Sequence, residues 1–507
     1  MNLKTENKQI LWNSIVGVLN RVITVILGIV FRKIFIVYLG ESLSGLSSLY
    51  MNILNFLSIA TAGLSVSAMH KIYVCNANED YEEVRKVEQF TKQFYRAVTI
   101  VIFLIGLVFT TILDKMIYNN QYDISFLRMV FLLQVLGECI NYWFQSKKVI
   151  LQAYAENYII SYIEIVVNVC IYVLQGCVII LTQNYILYLF TLLLKGALIG
   201  GLSHWQAVKK HPWLKNSVKV KMREMSYLFK DLKDTILMQF STFIFISTDS
   251  IVISKFLGLV WVNAYDNYMI VLNALTSAMD EINAAIRSTF GNTLAKDESQ
   301  KARVEFVEST TFVQFLLASF GSVSVFCLIG DFIQIWLGSK FVLAWTTALV
   351  FTINFYITVI ASPLKNYMII SGNFAVDKKI TISAAFVNII ISVILVGNIG
   401  VVGVILGTMS GNICMLIARM IYFYKNIVQQ GLGKYVGNIC LYAGIFGIEL
   451  VITMKACEMV SFSNIYIAFI IKIIFCLLIP NVINLIIFRN RKELKLLTNK
   501  LKNKRDA

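Results

Sequence analysis

An ionisable side chain held in the middle of a bilayer costs about 2.5–3.5 kcal/mol unless it faces protein or water. The charged residues inside the long apolar runs of this chain are therefore where its chemistry is to be sought. Arg21 sits about midway along the first run, flanked by Asn13 and Asn20, and Arg32 with Lys33 lies farther along it. Arg128 and Lys365 fall inside later runs. A guanidinium presents a fixed fork of donors that suits a phosphoryl group, and an ammonium supplies a point charge. Arg21, Arg32, Arg128 and Lys365 are accordingly the candidates for holding an anionic ligand. Glu138, Glu164, Asp249 and Asp266 lie in other runs and are the candidates for ion coupling or gating, since a carboxylate can take up H+ or bind Na+. Nothing in their spacing selects one ion over the other. Asp280, Glu281, Arg287 and Arg419 fall near run ends, where snorkelling or capping is expected to account for them.

Other chemistries find less support. Tyr142, Trp143, Trp205, Trp213 and Trp336 fall near run ends and read as interface anchors. His70, His204 and His211 lack zinc-ligand spacing. The 9 cysteines show no C-x-x-C pattern and read as small packing residues, so neither a disulfide framework nor a metal site is expected. Walker A, Rossmann and H-E-x-x-H patterns do not occur, which argues against ATP hydrolysis or zinc proteolysis by this chain, and no cofactor is expected.

The elements that carry these charges are legible from composition. The 507 residues are 58% apolar and 15% charged, against about 25% charged in soluble domains, and the mean hydropathy is +0.71. The chain is expected to be an all-α polytopic membrane protein. Only 3 prolines interrupt it, so its helices can run long. Apolar windows give fourteen spans, at 11–37, 43–70, 93–113, 124–145, 157–174, 184–205, 233–254, 262–286, 306–330, 342–368, 381–397, 399–422, 436–454 and 462–487. The Asn398–Gly400 break is the weakest boundary. The first run is too long for a signal-peptide core and reads as a permanent span.

The net charge of +16 is not that of a nucleic-acid binder, because the basic residues crowd into short gaps between the runs. Alternate gaps hold 30 Lys and Arg on one side and 4 on the other. That asymmetry predicts an even number of spans with both termini cytoplasmic. The gaps opposite the cytoplasm are too short for a separate domain. The segment 206–230 reads as a basic cytoplasmic connector and 488–507 as a basic tail, frayed or amphipathic at the lipid surface.

An offset of 218 residues brings Leu39-Gly40 onto Leu257-Gly258, Tyr50-Met51 onto Tyr268-Met269 and Leu54-Asn55 onto Leu272-Asn273. The first twelve spans then divide into two six-helix lobes, 1–205 and 231–425, with two further helices in 426–487. Such parallel halves are the usual architecture of an alternating-access transporter. The same offset sets Asp249 against Phe31, next to Arg32. An Arg32–Asp249 pair between the first and seventh spans would either open and close with transport or act as a static packing contact.

The segment Gly45-Leu46-Ser47-Ser48-Leu49-Tyr50-Met51-Asn52-Ile53-Leu54-Asn55-Phe56-Leu57-Ser58-Ile59-Ala60 resembles the second helix of bacterial polysaccharide-repeat-unit flippases. These are the capsule and O-antigen exporters of the multidrug/oligosaccharidyl-lipid/polysaccharide superfamily. Phe290-Gly291-Asn292-Thr293-Leu294-Ala295, Ile335-Trp336-Leu337-Gly338 and Gly400-Val401-Val402-Gly403 followed by Gly407-Thr408 extend the resemblance through the chain. Such proteins often carry an acidic residue where this chain has Thr61, so that carboxylate's role does not transfer. The resemblance implies a non-enzymatic, secondary-active flippase in the bacterial cytoplasmic membrane. It would carry undecaprenyl-diphosphate-linked oligosaccharide from the inner to the outer leaflet, with H+ or Na+ coupling. A polysaccharide polymerase and glycosyltransferases would be its partners. The rival readings are a cation-coupled multidrug exporter of the same superfamily and a membrane polysaccharide polymerase; the latter generally needs a large outer loop that this chain lacks.

Overall fold

In lipid every backbone N–H and C=O must be satisfied within the protein, so apolar runs of this length fold as helices. The computed structural model describes residues 3–57, 59–78, 80–118, 121–215, 218, 220, 247–296, 299–460 and 462–491. Most of the 233–254 span, part of the 206–230 connector, the tail beyond Arg491 and the side chain of Thr61 lie outside the described residues.

Regular structure among the described residues is helical. The helices are α1 (Leu3–Leu39), α2 (Glu41–Leu57), α3 (Ile59–Ala77), α4 (Tyr81–Phe109), α5 (Ile124–Trp143), α6 (Gln145–Ala153), α7 (Asn157–Thr182) and α8 (Tyr185–Lys210). After a helical segment at 247–257 come α9 (Leu259–Lys296), α10 (Gln300–Trp336), α11 (Trp345–Ile360), α12 (Ser362–Ile370), α13 (Phe374–Ile399), α14 (Val401–Tyr422), α15 (Gly433–Glu458) and α16 (Ile465–Phe488). Their ends follow local sequence. Asp80 caps α4 by accepting from Glu83 N at 3.0 Å, and Asn184 and Ser299 cap α8 and α10 in the same way. Gly400, at φ +63°, separates α13 from α14 at the break expected to be weakest. Gly40 and Gly258, which the 218-residue offset superimposes, share one backbone conformation, with φ of 90° and 92°.

Eleven described helical segments are long and apolar enough to cross a membrane, and the protein is a multi-pass membrane protein. The sequence windows number fourteen. The window 43–70 spans two shorter helices, α2 and α3. The window 262–286 falls in α9, whose Asn263, Asp266, Asn267 and Asn273 dilute its apolar character.

The chain divides into two compact units, Met1–Asn263 and Ala264–Ala507, with the division inside α9. In the first unit α1 packs on α7, α7 on α8, and α5 on both α4 and α8. A buried apolar cluster that includes Ile72, Val87, Phe90, Ile150 and Ile160 ties α3, α4, α6 and α7 together. In the second unit α13 and α14 form the most extensive helix pair. They meet at glycine: a Cβ on Gly407 would lie 2.8 Å from Asn388 O and collide with Ser392 Oγ. Such close backbone approach through small residues is how helices associate in lipid. A second cluster, including Phe306, Leu364, Tyr367 and Phe423, joins α10, α12 and the turn after α14.

Candidate functional site

Asn13, Asn20 and Thr24 recur at helical spacing and form one stripe along α1. Each meets α7 or the turn before it. Asn13 Oδ1 accepts from Tyr158 N at 2.7 Å and its Nδ2 donates to Ala155 O at 2.7 Å. Asn20 Nδ2 donates to Glu164 Oε2 at 2.7 Å, and Asn168 Nδ2 donates to Thr24 Oγ1 at 3.2 Å. These bonds fix the rotation of α1. Arg21 follows Asn20 and is exposed. Arg32 lies close to three turns farther on, so the two share a face about 16 Å apart along the axis.

Glu164 does not stand alone. Lys148 of α6 and Lys195 of α8 are both its electrostatic neighbours, and Lys195 Nζ lies 5.1 Å from the centroid of the Tyr172 ring. Burial pushes the Lys148 pKa below its ordinary value, and the Glu164 charge opposes that shift. Lys148 and Lys195 thus flank one carboxylate that Asn20 already holds, with Arg21 on the adjoining residue of α1. Glu138 bonds Asn141 one turn on in α5. Asn141 in turn packs against α8, where a Cβ on Gly196 would lie 3.1 Å from its Oδ1.

Arg32 is half-buried; Nη2 donates to Asn263 Oδ1 at 3.0 Å and Nη1 to Ser48 Oγ at 3.4 Å. Beside it Phe31 stacks on Tyr188 at 5.6 Å, and Tyr188 on Tyr185 at 5.8 Å. Asp249 is buried in the helical segment 247–257. Arg128, exposed like Arg21 and Lys365, has Nε donating to Thr110 O at 3.3 Å, so its charge sits at the C-terminal end of α4.

In the second unit Lys365 has Arg419, Asp280, Asp377 and Arg287 as electrostatic neighbours. Arg419, expected to snorkel or cap, stands in the last turn of α14, where it is buried and its Nε bonds Asp377 Oδ1 at 2.7 Å. Paired with a carboxylate inside the fold, it has no need to reach the interface. Arg287 Nη1 donates to Asn366 Oδ1 at 2.8 Å, Asn366 Nδ2 to Asn283 Oδ1 at 2.7 Å, and Gln314 Nε2 to the same Asn283 oxygen at 2.9 Å. Asp266 is half-buried on α9, between the buried Tyr265 and Asn267.

Three groupings escaped the sequence reading because their members are remote in the chain. Lys147 Nζ lies 2.9 Å from Glu88 Oε1 as an ion pair, and both side chains are buried. Glu156 bonds Lys210 Nζ at 2.9 Å and His211 Nε2 at 3.0 Å. Burial works against the Glu156 charge, yet the bonds from His211 and Lys210 outweigh it and hold its pKa below the usual range. The thiols of Cys327, Cys457 and Cys476 lie within 4.8 Å of one another. Spacing alone gave no sign of this grouping, and such a set of soft ligands could hold a thiophilic metal ion.

No family model matches the chain, and no curated protein matches it. Solved structures do. The inward closed conformation of the lipid II flippase MurJ superimposes with a TM-score of 0.71 at 14% identity, covering 95% of this chain and 99% of that one. An inward-facing multidrug resistance MATE family transporter of the MOP superfamily gives a TM-score of 0.65 at 13% identity, covering 80% and 94%. A MOP superfamily transporter from Pyrococcus furiosus, described as having a binding pocket of reverse polarity, gives 0.56 at 13% identity, covering 84% and 97%. The chain therefore has the fold of these transporters.

Proposed function

We propose that this protein is a secondary-active flippase that exports a polyprenyl-diphosphate-linked oligosaccharide, of the undecaprenyl class, across the bacterial cytoplasmic membrane. The observation that carries this reading is the sign of charge inside the first unit. Lys148 and Lys195 are both electrostatic neighbours of Glu164, and Arg21 is exposed on the residue after the Asn20 that bonds that carboxylate. Such an excess of positive charge attracts a diphosphate and repels an organic cation. The likeness in fold to a structure titled as a lipid II flippase supports a lipid-linked substrate.

The remaining parts follow from this reading. Both termini face the cytoplasm, on the distribution of Lys and Arg between gaps. Two six-helix lobes, 1–205 and 231–425, alternate access, with 426–487 outside the duplication. Arg21, Arg32 and Lys365 engage anionic groups of the substrate, and Arg128 serves its outer approach. Glu138, Glu164, Asp249 and Asp266 respond to H+ or Na+. A polymerase and glycosyltransferases consume and supply the substrate. A cation-coupled multidrug exporter is the second reading; the half-buried carboxylates Glu138 and Glu164 favour it, and a likeness to multidrug transporters accompanies it.

The test uses the purified full chain in proteoliposomes and compares binding of a polyprenyl-diphosphate-linked glycan with binding of lipophilic organic cations. The flippase reading expects saturable binding of the diphosphate lipid that weakens with ionic strength. Cation binding with no effect of the diphosphate lipid would transfer the assignment to drug export.

A further inference from the structure

Buried carboxylates in this protein fall into two kinds. Glu88, Glu156 and Asp377 each face a Lys or Arg. Glu449 of α15 is 0% exposed and faces hydroxyl groups instead. Ser319 Oγ of α10 donates to its Oε2, while Oε1 is buried with no hydrogen-bond partner. Among the described residues no Lys, Arg or His pairs with it.

The surroundings of Glu449 are polar in a specific way. Ser322 lies one turn beyond Ser319 on α10, and Thr453 one turn beyond Glu449 on α15; both are 0% exposed. Tyr356 of α11 has Glu449 as an electrostatic neighbour, and its ring stacks on Phe446, one turn before Glu449, at 4.2 Å. Ser322 Oγ, Tyr356 OH and Thr453 Oγ1 are all buried without a hydrogen-bond partner. Ser319 and Tyr356 thus reach Glu449 from two other membrane-spanning segments, Ser322 and Thr453 stand one turn along their helices from the Ser319–Glu449 bond, and most of the bonding capacity of these groups is unused. Unused buried polar groups are costly, so the grouping calls for an occupant that accepts their lone pairs. An anion is excluded by the carboxylate. Oxygen donors around one negative charge suit a hard cation, and a single charge calls for a monovalent one.

We propose that Glu449, Ser319, Ser322, Tyr356 and Thr453 form a binding site for a monovalent cation, Na+ or H+, within α10, α11 and α15. The cation neutralises Glu449: a proton sits on the carboxyl, or Na+ is shared by the carboxylate and the hydroxyls. Other charged and titratable groups on the packed helices include Tyr442 of α15, which Arg491 bonds, the thiols of Cys327, Cys457 and Cys476, the Lys434–Glu308 pair, Lys455 and Glu458 at the end of α15, and the Asp331–Lys472 pair of α10 and α16. The Lys472 ammonium is already bonded to Asp331 at 2.6 Å, three turns beyond Ser319. The site stands independently of the proposed substrate, because its occupancy is measured without one.

The test takes the full chain in lipid nanodiscs without substrate and compares wild type with Glu449→Gln and Thr453→Val. Thermal melting is followed in NaCl and in N-methylglucamine chloride at equal ionic strength and alkaline pH. Infrared difference spectra of wild type against Glu449→Gln are recorded at neutral pH. In the Na+ case the wild-type Tm rises with NaCl; that rise is lost in Glu449→Gln and weakened in Thr453→Val. In the H+ case any Na+ response of Tm is the same in wild type and Glu449→Gln, and the difference spectrum contains a protonated-carboxyl band from Glu449. Either result supports the site. An ionised carboxylate band from Glu449 combined with a Na+ response of Tm that is the same in wild type and Glu449→Gln would overturn it.

Discussion

Asn20 Nδ2 donates to Glu164 Oε2 at 2.7 Å, fastening the middle of α1 to α7 one residue before Arg21. The bond partly satisfies Glu164, whose other neighbours are Lys148 and Lys195. It also sets the direction in which α1 presents Arg21. Position and charge at this point can be separated by substitution. Glu164→Gln keeps an oxygen for Asn20 and removes the charge, so folded protein should be retained while the dependence of transport on H+ or Na+ is lost. Glu164→Leu leaves the Asn20 amide without its partner and should cost about 1–3 kcal/mol. Thermal melting beside ion-dependent uptake in proteoliposomes distinguishes the two effects.

The Arg419–Asp377 pair predicts an asymmetric pattern. Asp377→Asn strands a buried guanidinium and should destabilise the second unit by about 3–5 kcal/mol. Replacing both partners by leucine should recover much of that loss, since the unpaired charge is what costs. A double-mutant cycle on folded yield in detergent checks it.

Close approach of α13 and α14 at Gly407 leaves no room for a side chain. Gly407→Ala should cost roughly 1–3 kcal/mol through forced separation of the helices, and Gly407→Leu considerably more. Gly397, whose added Cβ meets nothing within 4 Å, provides the control: Gly397→Ala should leave melting nearly unchanged.

Glu156 predicts a pH response outside the membrane-spanning segments. Its pKa is held below the unfolded value, so its stabilising contribution is fully present above about pH 4.3, the ordinary glutamate value. The contribution is lost as pH falls through the lower folded value. Hydrogen exchange of the segment around Glu156 and His211 should therefore accelerate in acid in the wild type. Glu156→Gln should exchange faster already at neutral pH and show less acid dependence.

These relationships were unequally legible in the sequence. Helical class and most spans follow from hydropathy, since lipid leaves the backbone few alternatives. The polar stripe around Arg21 was partly visible, because Asn13 and Asn20 stand near it in the chain. Its partners were not, as Lys148 and Lys195 belong to other helices and only packing brings them to Glu164. The pairing of Arg419 was hidden for the same reason: its nearness to a run end was readable, but the burial of Asp377 against it was not. Glu449 lies within the 436–454 span, yet hydroxyls contributed by other helices leave no pattern in its neighbourhood of the sequence.

The central claim is that the exposed Arg21 engages the diphosphate of a lipid-linked glycan. It is tested most directly by the outer-leaflet appearance of a labelled polyprenyl-diphosphate oligosaccharide in proteoliposomes containing wild type, Arg21→Lys or Arg21→Ala at equal folded abundance. The account predicts a rate at least about tenfold lower in Arg21→Ala, equivalent to about 1.4 kcal/mol. It predicts an intermediate rate in Arg21→Lys, which keeps the charge and loses the planar fork of donors. Equal rates and equal glycan binding in all three proteins would contradict it.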